Sequence, residues 1–467
     1  MTTTRTGPRT RLILTALVGA QFMISMDATI VNVALPSIKE QLGFAQADLG
    51  WVVNAYALPF GGLLLLGARL GDALGTKKVF VAGTVLFSLA SLWCGLADSA
   101  VALVAARALQ GVGAATMSPV AMTMLVAVFD GRARHRALGW WGAMSGLAGG
   151  LGMLLGGLLS TASWRWNFLV AVPVGVLVLV LSRHLDQHRV PRVGRPDVLG
   201  AVLSTTGLLL VAYAVVGTER DGWAAWSTSG LLGVALLLLA GFVLWQQKAA
   251  DPLVPLRIFG NRNVSAGNAV IALTGAIGQI TYFMLTLYLQ QVLDYGPLAS
   301  GAVFLPISAV LLLVSTRTAW LIKLVGLRGT LAFGLGVTAV GSLWMSAVPT
   351  GGDYLTDVAG PSVVWAFGWG IAQAASFIAG AQGVGPDLAG VASGLIATTY
   401  RLGGAIGLAV VVTAAAVRTE SAGGSVDALT GGFRLAFLVA AGFAAVAAAL
   451  CALLQPHRSR TPARTGD

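Results

Sequence analysis

Residues 12–35 read LILTALVGAQFMISMDATIVNVAL, and this stretch decides the fold. A bilayer asks for roughly 20 consecutive apolar residues per crossing helix. Here the run is longer than that and holds a single carboxylate, Asp27. Arg5, Arg9 and Arg11 precede it in the manner of a signal peptide, but the run continues too far for one, so it reads as a retained first helix. Similar runs recur almost to the C-terminus. The whole chain of 467 residues is 56% hydrophobic and 10% charged, against roughly 25% charged residues in a soluble domain. An all-α membrane protein follows.

Apolar runs between charged or Pro/Gly-containing breaks predict fourteen spans. They fall at approximately 12–35, 50–68, 79–97, 100–128, 137–159, 166–183, 197–217, 228–247, 264–291, 299–316, 329–348, 357–383, 394–416 and 433–455. An even number places both termini on one side. With that side inside, 22 of the 29 Lys and Arg fall in inside segments. Five fall outside (Lys39, Arg165, Arg220, Arg418, Arg434) and two within spans (Arg107, Arg401). The positive-inside rule therefore predicts cytoplasmic termini. Residues 383–393, an inside loop, carry no basic residue and depart locally from this pattern. The net charge of +11 is spread over short loops rather than gathered in a stripe, so it reads as a topology signal and not as a nucleic-acid footprint.

A weak repeat organises the chain. Leu70-Gly71-Asp72-Ala73-Leu74-Gly75, between spans 2 and 3, is echoed by Leu321-Ile322-Lys323-Leu324-Val325-Gly326, between spans 10 and 11. The separation of eight spans implies two pseudo-symmetric six-helix bundles with two inserted helices. The expected divisions are residues 1–195, 196–247 and 248–467. Repeated halves around a midplane site are a common build for secondary transporters.

Particular residues carry candidate chemistry. A carboxylate at the bilayer centre costs roughly 2.5 to 3.5 kcal/mol on insertion scales, so Asp27 is expected to face a cavity or a partner, as a proton or substrate carrier or as a satisfied structural group. Arg107 and Gln110, three residues apart, project to similar helix faces. Asp72, near Gly67, Gly75, Lys77 and Lys78, is expected to meet Arg132, Arg134 or Arg136 as a conformational latch. Spaced glycines at Gly142, Gly146, Gly150, Gly152, Gly156 and Gly157 let backbones approach closely. A cavity for varied ligands is expected to draw on Met23, Asn32, Tyr56, Gln110, Met117, Met144, Tyr282, Met284, Phe304, Trp365, Trp369, Gln373 and Phe377, because thioethers, aromatics and a few amides adapt to many shapes. Arg401, near the start of span 13 beside Gly403 and Gly404, reads as a second buried cation or as one that snorkels to the cytoplasmic surface, and its place near the boundary favours snorkelling. His184 and His188 have an i, i+4 spacing but no further ligand nearby, and Cys94 and Cys451 lie far apart in apolar runs, so no metal site is expected. No phosphate-cradling Gly-Lys-Ser/Thr loop occurs, and no catalytic constellation either, so neither an ATP-driven pump nor an enzyme is expected.

The segments resemble the fourteen-helix drug:proton antiporter family of the major facilitator superfamily across nearly the whole chain. Met26-Asp27-Ala28-Thr29-Ile30-Val31-Asn32-Val33-Ala34-Leu35-Pro36 is similar to that family's first-helix signature, Gly67 to Lys78 to its loop 2–3 motif, and Leu103, Arg107, Gln110, Gly111 and Gly113 to its fourth-helix motif. The glycines of span 5 resemble its antiporter motif, and Trp164-Arg165-Trp166-Asn167-Phe168 and Asp251-Pro252-Leu253 are similar to its entries to spans 6 and 9. Ala73, Thr76, Met153 and Ala171 depart from the pattern, Met153 standing in place of a proline. The resemblance implies a major facilitator fold in a bacterial cytoplasmic (inner) membrane. It implies a monomer that exports small apolar or cationic compounds such as drugs or antibiotics, Asp27 and Arg107 handling the proton. The gradient drives it without a cofactor. A proton-linked or passive importer on the same fold is the alternative.

Overall fold

A computed structural model describes residues 8–46, 48–185, 197–222, 225–380, 382, 389–423 and 425–454. His188 and the basic residues between 186 and 196 lie outside them. Every regular element among the described residues is helical. We number the long helices α1 (Pro8–Leu42), α2 (Trp51–Leu74), α3 (Thr76–Leu96), α4 (Ala100–Val128), α5 (Gly131–Ser160) and α6 (Trp166–Leu169 continued by Ala171–Leu181). Then come α7 (Val198–Asp221), α8 (Trp226–Lys248), α9 (Arg262–Gln291), and Pro297–Met345, which breaks at Gly326 into α10 (297–325) and α11 (327–345). The last three are α12 (Gly360–Gly380), α13 (Ala389–Ser421) and α14 (Val426–Leu450). Among the described residues, thirteen helices have the length and apolarity to cross a membrane. The remaining crossing is α5, thirty residues long, whose described apolar part is Leu151–Ser160. Each of the fourteen expected spans coincides with a helix.

Sequence dictates where the helices break. Gly75 has φ 97° and Gly326 has φ 75°, a region L side chains rarely enter, so each glycine lets the chain turn back into the next helix without a loop. These are the last positions of the two echoed hexapeptides. The repeat continues into the packing. Eight residues after each hinge, Gly83 of α3 and Gly334 of α11 lie backbone to backbone against Gly113 of α4 and Gly368 of α12. Gly152 of α5 lies against the Met26 carbonyl of α1, and Gly403 of α13 against the Ala272 carbonyl of α9. Any Cβ at these positions would meet main-chain atoms, which is why small residues hold membrane helices together.

Helices α1–α6 and α9–α14 form the two halves, with α7 packed on α2 and α13 and α8 packed on α7. The halves meet along α2–α13 and α5–α10. On the face away from the termini, Gly157 packs against Pro297 and Leu298, and Gly301 against the Met153 carbonyl. There Gln290 also donates to the Val33 carbonyl at 2.9 Å. Toward the other face, a cleft of about 390 Å³ opens between α1 and α5, lined by Leu14, Val18, Phe22, Trp140 and Met144.

Candidate transport site

In the first half, a polar cluster is sealed inside the bundle. Asp27 of α1 is 1% exposed and Arg107 of α4 is fully buried, with Nη1 donating to Asp27 Oδ2 at 2.6 Å. One helical turn on, Gln110 Nε2 donates to Asp27 Oδ1 at 2.6 Å and to Ser91 Oγ of α3 at 3.2 Å. Gln110 Oε1 in turn accepts from Arg107 Nη1 at 2.7 Å, and Arg107 Nε donates to the Val52 carbonyl of α2 at 2.9 Å. The guanidinium also lies 4.4 Å over the Tyr56 ring and 5.6 Å from that of Phe168. Asp27 thus faces partners inside its own half. Ser91 and Val52 complete this shell without having been singled out in the sequence, because lone serines and valines in apolar helices carry no spacing signal, and Phe168 was quoted there only as part of the entry to span 6.

The second half answers this cluster with aromatic rings. Gly113 and Gly368 are equivalent crossings, so counting back three residues sets Gln110 against Trp365, and six sets Arg107 against Ser362. By the α1–α5 and α9–α13 crossings, Asp27 corresponds to Leu273. Trp365 stacks on Trp369 with centroids 5.1 Å apart, and Tyr282 meets both edge-on while stacking on Phe304 at 5.5 Å. Trp369 Nε1 donates to the Thr274 carbonyl at 3.0 Å, whereas Trp365 Nε1 is buried without a partner among the described residues. Next to this cluster, Gln373 Nε2 donates to Tyr400 Oη at 2.7 Å, and Phe377 lies 5.5 Å from the Tyr400 ring. One half holds the buried Asp27–Arg107 pair and the other a broad aromatic surface.

The remaining expected cavity residues are dispersed. Met23 and Met117 are fully buried in the core of the first half, where Met117 Sδ accepts from Thr84 Oγ1 and Met23 approaches Gly175. Met284 is buried on α9. Asn32 is buried, its amide donating within α1 to the Thr29 carbonyl at 3.1 Å. Met144 lines the cleft between α1 and α5. Among the helix-5 glycines, Gly152 and Gly156 pack on α1 and Gly157 on α10, while Gly142, Gly146 and Gly150 lie in α5 with their surroundings outside the described residues.

The expected latch residues also have definite places. Gly67 packs directly on the Ala115 backbone. Lys77 Nζ donates to the Leu185 carbonyl at 2.7 Å and the Arg183 carbonyl at 3.3 Å, capping the end of α6. Lys78 is exposed, and Asp72 is half-buried with no ion pair among the described residues. Arg134 instead pairs with Asp130 at 2.9 Å, Arg136 is exposed, and the Arg132 side chain lies outside the described residues. In this state Lys77 ties loop to helix within one half, and the expected Asp72–Arg134 contact is not made.

The model of the Major Facilitator Superfamily matches residues 17–408. The chain belongs to this superfamily. This major facilitator protein is 41% identical to a cephamycin export protein of Amycolatopsis lactamdurans, over 95% of this chain and 92% of that one. It is 33% identical to a puromycin resistance protein of Streptomyces alboniger, over 97% and 93%. It is also 33% identical to a lincomycin resistance protein of Streptomyces lincolnensis, over 96% and 92%. Among solved structures, it superposes on an auto-inhibited POT family peptide transporter with TM-score 0.70 at 17% identity, covering 99% of each chain. A bacterial homolog of the human lysosomal transporter Spinster, inward-facing and unoccupied, gives 0.69 at 16%, covering 95% and 96%. These likenesses establish the major facilitator fold. The chain is a multi-pass membrane transporter and not an enzyme.

Proposed function

We propose that this transporter exports small, largely apolar compounds of the antibiotic kind across a bacterial cytoplasmic membrane, exchanging them for a proton held at Asp27. Full-length relatives named for antibiotic export or resistance support the direction. The observation that carries the coupling is the Asp27–Arg107 pair, fully buried at 2.6 Å, in the half that faces an aromatic surface. Protonating Asp27 removes the charge that Arg107 neutralises, while Arg107 keeps the Gln110 and Val52 oxygens. That change weakens the tie between α1 and α4 and so biases which way the halves rock. The aromatic rings hold an apolar ligand by contact area rather than by directed bonds.

In this reading the chain works as a monomer, needs no cofactor, and takes its energy from the proton gradient. Both termini face the cytoplasm in this reading, which the distribution of Lys and Arg supports. The test is a susceptibility and accumulation panel of antibiotics in an efflux-deficient host. Expression should lower accumulation of at least one compound, and a protonophore should abolish the effect. Raised accumulation would instead establish the importer. In the same cells an impermeant maleimide should reach Asp98→Cys and spare Arg136→Cys, the native Cys94 and Cys451 being buried; the opposite pattern would invert the topology.

A further inference from the structure

Two arginines lie inside the spans, and their surroundings differ. Arg107 is fully buried and neutralised. Arg401 of α13 is partly exposed and, among the described residues, has neither a carboxylate nor a hydrogen-bond acceptor. It does not snorkel to the surface as its sequence position suggested. The helix begins at Ala389, twelve residues earlier, and Arg401 packs on Gly61 in the middle of α2. Its Cζ lies 3.7 Å from the centroid of the Phe60 ring, and its charge is within electrostatic range of Tyr56 and Tyr400. The guanidinium therefore sits in the seam between the two halves, near the aromatic surface of the second half.

An uncompensated cation at this depth is costly. Stacking on Phe60 offsets part of that cost and leaves the five N–H donors at the edge of the guanidinium plane free. Beside it, Tyr400 Oη accepts from Gln373, so the phenol hydrogen is also available. Such a fork fits a carboxylate through two parallel bonds. A cation would be repelled.

We infer that Arg401 is an anion subsite within the transport pathway, taking the carboxylate of an aromatic or otherwise apolar substrate whose body lies toward Tyr400 and Phe377. This rests on the export reading above and narrows its substrate class. Because Phe60 and Arg401 belong to different halves, the subsite is made and unmade as the halves move, which is where a transported group is gained and released.

The test uses the purified full-length protein in lipid nanodiscs with 1-pyrenebutyrate and its methyl ester as probes, read by energy transfer from tryptophan to pyrene. Arg401→Gln should raise the Kd of the acid about tenfold or more, as expected for losing a charged hydrogen-bonded pair, and leave that of the ester unchanged. Arg401→Lys, which keeps the charge but loses the fork and the stacking, should bind the acid between wild type and Arg401→Gln and leave the ester unchanged. Equal weakening of acid and ester in Arg401→Gln would make Arg401 a packing residue and overturn the subsite. So would an unchanged Kd for both, or wild-type protein that binds the ester but not the acid. If wild-type protein binds neither probe, the apolar-substrate reading fails and the subsite falls with it.

Discussion

The Asp27–Arg107 pair illustrates how one charge constrains another inside a membrane. Neither could be sequestered alone, since leaving a buried charge without its partner costs about 3–5 kcal/mol. The two single removals are unequal here. Asp27→Asn keeps an oxygen toward Arg107, which also has the Val52 carbonyl, Gln110 Oε1 and the Tyr56 ring face. Arg107→Ala leaves a bare carboxylate with only Gln110. We therefore expect thermal stability in detergent to fall modestly in Asp27→Asn and by about 3–5 kcal/mol in Arg107→Ala, with the double variant more stable than Arg107→Ala alone. Asp27→Asn should also bind uncharged substrate yet lose all dependence on the pH gradient. A double variant no better than Arg107→Ala, or full gradient-driven transport by Asp27→Asn, would mean that the pair is not the unit of coupling. The sequence made Asp27 visible because a carboxylate in an apolar run is rare. It could not separate Met23 and Met117 from ligand-facing residues, because a methionine suits a bundle core and a cavity wall equally and composition does not say which helix face meets which neighbour.

At the level of elements, the inserted helices are fastened by a residue outside every expected site. Asp197 precedes α7, accepting from the Gly200 N–H at 2.8 Å as a helix cap. It also accepts from Trp245 Nε1 at 2.7 Å and Gln246 Nε2 at 2.6 Å, both on α8, and from the Leu253 N–H at 3.4 Å on the way to α9. Burial opposes the Asp197 charge, but these four donors outweigh it and hold the carboxyl below its usual pKa. The folded pKa being the lower one, the stabilisation is full above the unfolded value of about 4 and is lost as pH falls through the folded value. Asp197→Asn turns an NH2 group toward donors, so we expect a loss of about 1–3 kcal/mol at neutral pH. The gap in melting temperature between wild type and variant should be flat from pH 8 to about pH 5 and close below about pH 4; a gap that widened in acid would contradict this. Hydropathy located α7 and α8 but not their clasp, which depends on a carboxylate at the first position of the expected seventh span, one residue before the helix begins. The same blindness misplaced Arg401: residues 383–393 carry no basic residue to mark the boundary, so the thirteenth span was expected to begin at 394, while the helix starts at Ala389.

Across the whole molecule, the hexapeptide echo was the most informative sequence signal, because hinge glycines must recur wherever two halves share a backbone plan, as Gly75 and Gly326 do. What no repeat reveals is how the halves diverge, with Asp27, Arg107 and Gln110 in one set against Leu273, Ser362 and Trp365 in the other. That divergence has an electrical consequence. Of the described carboxylates, the two buried ones are Asp27 and Asp197, and Asp197 is committed to its clasp outside the spans. If Asp27 carries the proton as proposed, one proton is exchanged per cycle. Each charge crossing the full potential is worth about 2.3 kcal/mol per 100 mV, roughly a fifty-fold concentration ratio. A neutral substrate leaving against one entering proton moves one charge inward. A monoanion leaving moves a second in the same sense and doubles the drive to about 4.6 kcal/mol per 100 mV, and a monocation leaving cancels the proton. In proteoliposomes at equal pH on both sides, an imposed potential that is negative on the side carrying the termini should expel neutral substrates. It should expel carboxylates more steeply and leave monocations at equilibrium. A monocation driven out by potential alone would require at least two protons per cycle, and Asp27 would then not be the sole carrier.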